Sequence, residues 1–311
     1  MRAVMAESYG AMPEVREMPE PSPIGGDVKI EVQASSLNGY DAKLVDGFLG
    51  GDIEHQFPVV LGRDFAGIIT EVGPGVAGFM PGEKVFGVVS KPRLGDGSFS
   101  EYVVVPENTG LAPLPAGVDY RSAGVLGLAG VAALASVDAV GPGHGEMVLI
   151  SGATGGVGHY AVQLAAARGA SVIATAEPGP QADLMFELGA AHTVDHRGDL
   201  AAQVRRLAPA GVDCVVHLAG DPNLLADLLV PGGRFSSSLG VGPEQLGGRD
   251  LSVTPIEAVP DRIVLEHLAT EVAAGRLRPS IARTYLLDEV PQAFADFNSS
   301  GTVGKIAVAV S

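Results

Sequence analysis

Apolar and polar residues alternate over 28–34, where Val28, Ile30, Val32 and Ala34 are interleaved with Lys29, Glu31 and Gln33. That period of two predicts a half-buried strand. Segments 66–72, 84–89 and 101–105 read as further short strands, set apart by turns such as Gly73-Pro74-Gly75 and Pro81-Gly82. Short strands punctuated in this way predict a partly open β-barrel. From about Pro113 the rhythm changes. An Ala-rich helix over 126–140 leads to apolar strands at 147–151, 171–176, 192–195, 212–218 and 234–239. Helices at 156–168, 181–188 and 200–207 and a helical turn at 224–229 separate them. Apolar strands alternating with helices predict a parallel sheet covered on both faces. An amphipathic helix follows at 261–274. The end of the chain reads as a strand at 282–287, a helix N-capped by Asp288 that aligns Val290, Phe294 and Phe297, and a strand at 303–310.

Composition narrows the function. The 311 residues include 36 Asp+Glu against 20 Lys+Arg, for a net charge of −16. Nucleic-acid binders and proteins that dock on anionic lipid need the opposite balance. With 46% hydrophobic and only 18% charged residues, the chain has material for a large core and is not disordered. The lone Cys214 excludes an intrachain disulfide and a Cys-built zinc site. Residues 1–13 hold Arg2 but no apolar run, so no signal peptide is expected. The uncharged stretch 122–137 is too short to span a membrane, and 147–167 reads as strand, glycine loop and helix. A cytoplasmic protein is expected.

The strongest local signal is Ser151-Gly152-Ala153-Thr154-Gly155-Gly156-Val157-Gly158. It follows an apolar strand and opens a helix, the context a dinucleotide fingerprint requires. Gly155 would let the backbone approach a pyrophosphate, Gly158 would let helix and strand pack closely, and the helix N-terminus offers free N–H groups. Ala153 stands where the first glycine of the fingerprint usually sits. Gly155→Asp and Gly158→Val are each expected to leave a folded protein that no longer binds dinucleotide.

Further blocks run through the chain in order: Ser36-Leu37-Asn38-Gly39-Tyr40-Asp41, then Phe57-Pro58-Val59-Val60-Leu61-Gly62-Arg63-Asp64-Phe65-Ala66-Gly67. Pro81-Gly82-Glu83-Lys84-Val85-Phe86-Gly87, Gly97-Ser98-Phe99-Ser100-Glu101-Tyr102 and Gly304-Lys305-Ile306 complete them. Together with the glycine loop they resemble the zinc-free medium-chain dehydrogenase/reductases of the quinone oxidoreductase (zeta-crystallin-like) family. The resemblance implies an α/β chain in which a Rossmann doubly wound parallel sheet is inserted into a GroES-like partly open β-barrel domain. The implied division is 1–113 plus 282–311 for the GroES-like catalytic domain and 114–281 for the dinucleotide-binding domain. A homodimer is implied as well.

The resemblance also assigns roles. Asn38, Tyr40 and Asp41 fall on the loop that lines the nicotinamide end of the cleft in relatives. Tyr40 would donate to an acceptor oxygen or simply pack at a domain junction; Tyr40 and Asn38 are the catalytic candidates. Lys43 falls at a cofactor contact, or is a solvated surface lysine. The cofactor candidates are Lys43, Ala153, Thr154, Gly155, Gly156, Val157, Gly158, Glu177, His196, Gly220, Ser238, Leu239 and Gly240, the later ones at the carboxyl ends of successive strands. Cys214 and His217 are expected in the core. Two departures stand out: Gly39 replaces a common proline, and Ala132 replaces a usual threonine.

Where zinc-dependent relatives carry a Gly-His-Glu triplet with a metal ligand, this chain has Gly62-Arg63-Asp64, and His55 and His144 are isolated. No metal is expected. Without a Lewis acid, alcohol oxidation loses its usual means of stabilising an alkoxide, whereas an electron-poor quinone or enone can take a hydride unaided. Three functions remain open: NAD(P)H-dependent reduction of quinones or small enones, an enoyl-thioester or pathway-specific enoyl reductase, and a non-enzymatic NAD(P)H-binding sensor or structural protein. NADP(H) is the expected cofactor, with NAD(H) also used. No Lys or Arg occurs in 171–196, and Glu177 lies about twenty residues beyond the glycine loop, where an acidic residue binds the ribose diol in NAD enzymes. His196 and Arg197 could reach a 2′-phosphate from the next loop.

Overall fold

The protein is described by a computed structural model covering residues 1–47, 57–90, 95–298 and 302–310. Strands β1 (Arg2–Ala6) and β2 (Glu14–Glu17) precede the long β3 (Asp27–Leu37) and helix α1 (Gly39–Val45). Then come β4 (Val59–Val60), β5 (Asp64–Val72), β6 (Lys84–Val88), β7 (Tyr102–Pro106), β8 (Leu111–Pro113) and helices α2 (Tyr120–Gly124) and α3 (Gly127–Val140). The middle of the chain alternates: β9 (Met147–Ser151), α4 (Gly158–Ala167), β10 (Ser171–Thr175), α5 (Pro180–Glu187), β11 (His192–Val194) and α6 (Leu200–Leu207). It continues with β12 (Val212–His217), α7 (Pro222–Ala226), β13 (Leu229–Ser237) and β14 (Leu251–Pro255). The chain closes with α8 (Arg262–Ala273), β15 (Ile281–Leu286), α9 (Val290–Asn298) and β16 (Lys305–Ala309).

Two compact units emerge. The first comprises Met1–Leu128 with Pro260–Ser311 and the second Ala129–Val259. The sequence division fell at 113/114 and 281/282; 114–128 and α8 instead cluster with the first unit.

In the first unit, a seven-stranded sheet runs β15-β16-β3-β5-β6-β8, with β7 also paired to β3, beside a three-stranded sheet β2-β1-β4. Strand β16 is antiparallel to β3, with Ile306 opposite Leu37 and Ala309 opposite Ala34, so both ends of the chain build this unit. Its core gathers Val28, Ile30 and Val32 with Phe65, Phe99, Ile306 and Phe294. One polar position of β3 departs from the alternation. Lys29 is only 5% exposed, because β5 and β7 flank β3 on either side. Its stem is covered while its ammonium reaches Glu20 at 3.0 Å and Glu71 at 2.9 Å, as long basic side chains commonly do.

The second unit is a six-stranded parallel sheet in the order β11-β10-β9-β12-β13-β14. The order runs outward from β9 in both directions, which is the doubly wound arrangement, and ligands in such sheets bind beyond the carboxyl ends of the strands where the order reverses. Leu149, Ile173, Val215 and Phe235 are fully buried in its core, matching the continuous apolar runs expected of strands covered on both faces.

Several local readings change. The helix expected from Gly156 begins at Gly158. The helical turn expected at 224–229 lies at Pro222–Ala226 and is capped by Asp221, whose side chain accepts from Asn223 N, and Leu229 already belongs to β13. β13 ends at Ser237, so Ser238 and Leu239 lie in the loop beyond it. Asp288 is not a helix cap: it sits in a 3-10 turn, Leu287–Glu289, and its carboxylate pairs with Arg2 at 2.9 Å. Strands β1, β2, β4, β8 and β14 were not anticipated. Among the described residues, no helix is long and apolar enough to cross a membrane.

Candidate functional site

The candidate residues fall in both units. In the second, β9 ends at Ser151 and the chain turns back through Gly152 at φ +69°, a conformation glycine adopts without steric cost. Thr175, the last residue of β10, anchors this turn. Its Oγ1 accepts from Gly152 N at 2.8 Å and Ala153 N at 3.4 Å. Gly155 N donates to Gly152 O at 3.1 Å, and α4 begins at Gly158. A Cβ on Gly158 would lie 2.2 Å from Gly152 O and 2.6 Å from Ala153, so only glycine lets helix and turn approach this closely. A Cβ on Gly155 would meet only Gly152 O, at 3.3 Å. The N–H groups of Gly156, Val157 and Gly158 have no backbone acceptor among the described residues. Thr154 through Val157 are partly exposed, whereas Ala153 is buried. Unpaired N–H groups, a helix N-terminus and a surface without side-chain bulk together suit a phosphate anion. The dinucleotide expected from the sequence fits the residues present.

The strand-end loops supply the remaining candidates. Glu177, two residues past β10, pairs with Arg197 at 3.1 Å, and Arg197 also binds Asp195 at 3.3 Å. His196 is exposed beside them. Gly220 at φ +89° and Gly240 at φ +78° shape the loops after β12 and β13, and Leu239 is 45% exposed. His217 is 1% exposed, as expected of a core residue, but it joins these two loops. Its Nε2 faces Gly220 O at 3.1 Å, and a carbonyl partner assigns the hydrogen to Nε2. Burial lowers the His217 pKa and keeps the ring neutral, so Nδ1 accepts from Ser237 Oγ at 2.9 Å. Ser237 Oγ in turn accepts from Leu239 N at 3.1 Å and Val241 N at 3.4 Å.

In the first unit, Asn38 is the N-cap of α1, and its backbone N–H donates to Asp41 Oδ2 at 2.8 Å. Gly62 N donates to the other Asp41 oxygen at 3.2 Å. Asp41 is 2% exposed, and that burial pushes its carboxyl up to about 6. The Asn38 amide nitrogen donates to Asp64 Oδ2 at 2.9 Å, while its amide oxygen accepts from Lys305 Nζ. Asp64 is fully buried and also accepts from Ser36 Oγ at 2.6 Å and from Leu128 N at 2.6 Å, in the first turn of α3. Lys305 Nζ lies 3.5 Å from Asp64 Oδ2; burial lowers the Lys305 pKa and the Asp64 charge opposes that shift. Tyr40 carries the Arg63 guanidinium 4.5 Å from its ring centroid. Burial raises the Tyr40 pKa and Arg63 pulls it back. Lys43 is exposed on α1.

Asp64 and Lys305 were seen in the sequence only as parts of matching blocks, and His217 only as core. The structure makes the first two the charged centre behind Asn38 and the third the link between two loops. No local signal distinguishes them, since Asp64 and Lys305 are far apart in sequence and the Ser237 partner of His217 lies on the next strand. Among the described residues, no group of three or more His, Cys, Asp or Glu side chains is placed to hold a metal ion. His144 lies under Gly169, where an added Cβ would meet its ring at 2.7 Å. His55 lies outside the described residues.

Known proteins resemble the chain over nearly its whole length. Residues 25–116 match the alcohol dehydrogenase GroES-like domain family, and 188–308 match the family described as zinc-binding dehydrogenase. A chloroplast envelope quinone oxidoreductase homolog of Arabidopsis thaliana is 30% identical, over 99% of this chain and 98% of that protein. An acryloyl-coenzyme A reductase of Metallosphaera sedula is 28% identical, over 98% of this chain and 99% of that protein. The solved quinone oxidoreductase of Coxiella burnetii superposes with a TM-score of 0.89 at 25% identity, over 100% of this chain and 99% of that one. With its GroES-like and doubly wound sheets, the chain belongs to the quinone oxidoreductase family of medium-chain dehydrogenase/reductases and is an NAD(P)H-dependent oxidoreductase.

Proposed function

We propose that the protein reduces quinones or small activated enones, using NADPH and also NADH, by hydride transfer that needs no metal. The observation that carries this reading is the glycine turn, with its unpaired N–H groups and a Gly158 contact that tolerates no side chain. When bound, the nicotinamide supplies a hydride. Ala153 through Gly158 would hold the phosphates, and Glu177 and His196 the adenosine half. Gly220 and Ser238 through Gly240 would border the dinucleotide at the strand ends, with Lys43 as a further contact. Asn38 and Tyr40 would serve the acceptor, Asn38 held rigid by Asp64 and Lys305 and Tyr40 offering its hydroxyl. Under this reading the acceptor is a small molecule, neither nucleic acid nor membrane, and the working form is a cytoplasmic homodimer, which light scattering and fractionation test.

A second reading has one observation in its favour, the acryloyl-coenzyme A reductase relative: an enoyl thioester is itself an activated enone. The sensor reading gains no support from these relatives. Cofactor oxidation, followed by absorbance with 1,4-benzoquinone, 9,10-phenanthrenequinone and crotonyl-coenzyme A in parallel, separates the readings. Turnover of the quinones alone is the expected result. Turnover of the thioester alone would replace the first reading with the second, and turnover of none would remove both. Activity that survives exhaustive chelation is also expected; stoichiometric zinc whose removal abolishes turnover would overturn the metal-free step.

A further inference from the structure

The cluster around Asp64 holds two cations that differ in the donors left to them. Lys305 donates to Asn38 Oδ1 and to Leu37 O at 3.1 Å, and points at Asp64 Oδ2 at 3.5 Å, which occupies the three hydrogens of an ammonium. Arg63 has five N–H donors and commits one, Nε to Val89 O at 2.7 Å. Its terminal nitrogens make no hydrogen bond of good geometry among the described residues, and the group they approach is the Tyr40 phenol, whose pKa they lower. The neighbouring carboxylates do not serve it, because Asp41 is occupied by the Asn38 and Gly62 N–H groups and Asp64 by Ser36, Asn38, Lys305 and Leu128. The guanidinium instead lies against the Tyr40 ring, at 4.5 Å from the centroid. The Tyr40 hydroxyl is buried and, among the described residues, has no hydrogen-bond partner. Even a guanidinium swung onto the phenol oxygen would leave the phenol hydrogen without an acceptor.

Uncommitted donors on a guanidinium and a buried, unpaired phenol call for the same missing partner: an oxygen rich in negative charge. We propose that Arg63 and Tyr40 form an oxyanion site, with Arg63 a catalytic residue, and that its ligand is the carbonyl oxygen of the acceptor. This rests on the quinone or enone reading. As the acceptor takes a hydride from the reduced nicotinamide, a bond to hydrogen forms, C–H at the β-carbon of an enone or O–H at one oxygen of a quinone, and the conjugated π electrons move onto the remaining carbonyl oxygen. The acceptor is reduced and the nicotinamide oxidised. The oxyanion, an enolate or a hydroquinone monoanion, meets the permanent charge of Arg63 and takes the Tyr40 proton, which water restores. Fixed donors aimed at developing charge act where a metal ion otherwise would.

The test is binding of 4-nitrophenol, whose ionisation is read from its own absorbance and needs no turnover. Bound to the wild-type protein it should ionise at lower pH than in water, by on the order of one unit. Arg63→Met should abolish that shift, Arg63→Lys should retain part of it, and Tyr40→Phe should weaken nitrophenolate binding. Arg63→Met should also lower kcat by about a hundredfold while NADPH binding stays within about twofold. An equal shift in wild type and Arg63→Met, no shift in wild type, or no binding would overturn the proposal. If Arg63→Met does not fold, the lysine and phenylalanine variants decide, and an unchanged shift in both overturns it. A wild-type protein that shifts nitrophenol through Arg63 but reduces neither quinone nor enone keeps the oxyanion site and removes the acceptor reading. Active wild type without the shift does the reverse.

Discussion

Lys305, the first residue of the last strand, donates its ammonium to the amide oxygen of Asn38, the N-cap of the first helix. The same amide donates from its nitrogen to Asp64, so one side chain is held at both ends by opposite charges. Lys305 is 3% exposed and Asp64 fully buried, and water screens this pair little.

Removing one member should therefore cost more than removing both. Lys305→Met leaves the Asp64 carboxylate buried without its cation, a loss of about 3–5 kcal/mol in denaturant titrations. Adding Asp64→Asn should recover a substantial part of that loss, because the uncompensated charge goes with it. Simple additivity of the two losses would show that the pair is not coupled.

Asp41 makes a prediction about pH. Its carboxyl ionises at about 6 when folded against 3.8 as its ordinary value, so between those limits the folded state binds more protons than the unfolded one. Stability from this group is then present at about pH 4 and is lost as pH rises towards 6, by an amount on the order of 3 kcal/mol. Carboxylates held low by partners, such as Glu146 with Gly143 N and Arg234, act in the opposite sense. The test is accordingly a difference: wild type minus Asp41→Asn should slope downward from pH 4 to 6. A flat difference would contradict the buried ionisation.

The two glycines of the turn should respond differently to substitution. Gly158→Val places a side chain 2.2 Å from Gly152 O, so backbone must move and the second unit should lose stability. That corrects the sequence expectation of a folded, merely non-binding variant. Gly155→Asp meets only Gly152 O at 3.3 Å and should stay folded while its charge repels phosphate. Melting curves beside calorimetric NADPH titrations distinguish the outcomes, and undiminished affinity in Gly155→Asp would remove the phosphate role.

Cofactor choice should turn on the Glu177–Arg197 pair. The carboxylate suited to a ribose diol and the guanidinium suited to a 2′-phosphate neutralise each other at 3.1 Å. Both cofactors should bind, with NADPH and NADH dissociation constants within about tenfold at fixed salt. Glu177→Gln should move the balance towards NADPH, and Arg197→Met towards NADH. A preference that neither variant alters would place the discriminating contact elsewhere.

The sequence by itself determined the elements whose signals are local. The turn at 151–158 announces itself through glycines between an apolar run and a helix, and β9 and α6 lie at the predicted residues, Met147–Ser151 and Leu200–Leu207. Continuous apolar runs marked the strands of the parallel sheet because both its faces are covered. β14 escaped notice because as an edge strand it is partly exposed and carries no such run. Asp288 looked like a cap because acidic residues suit helix starts, but Arg2, at the other end of the sequence, engages it in a 3-10 turn. Only the tertiary structure decided the charged centre. Asp64 and Lys305 are 241 positions apart and become partners because β16 pairs with β3 beside β5. His217 likewise becomes the link between two loops only when β12 lies beside β13. Sequence patterns report burial and local backbone preference, whereas a hydrogen bond needs two atoms brought together by the register of whole strands.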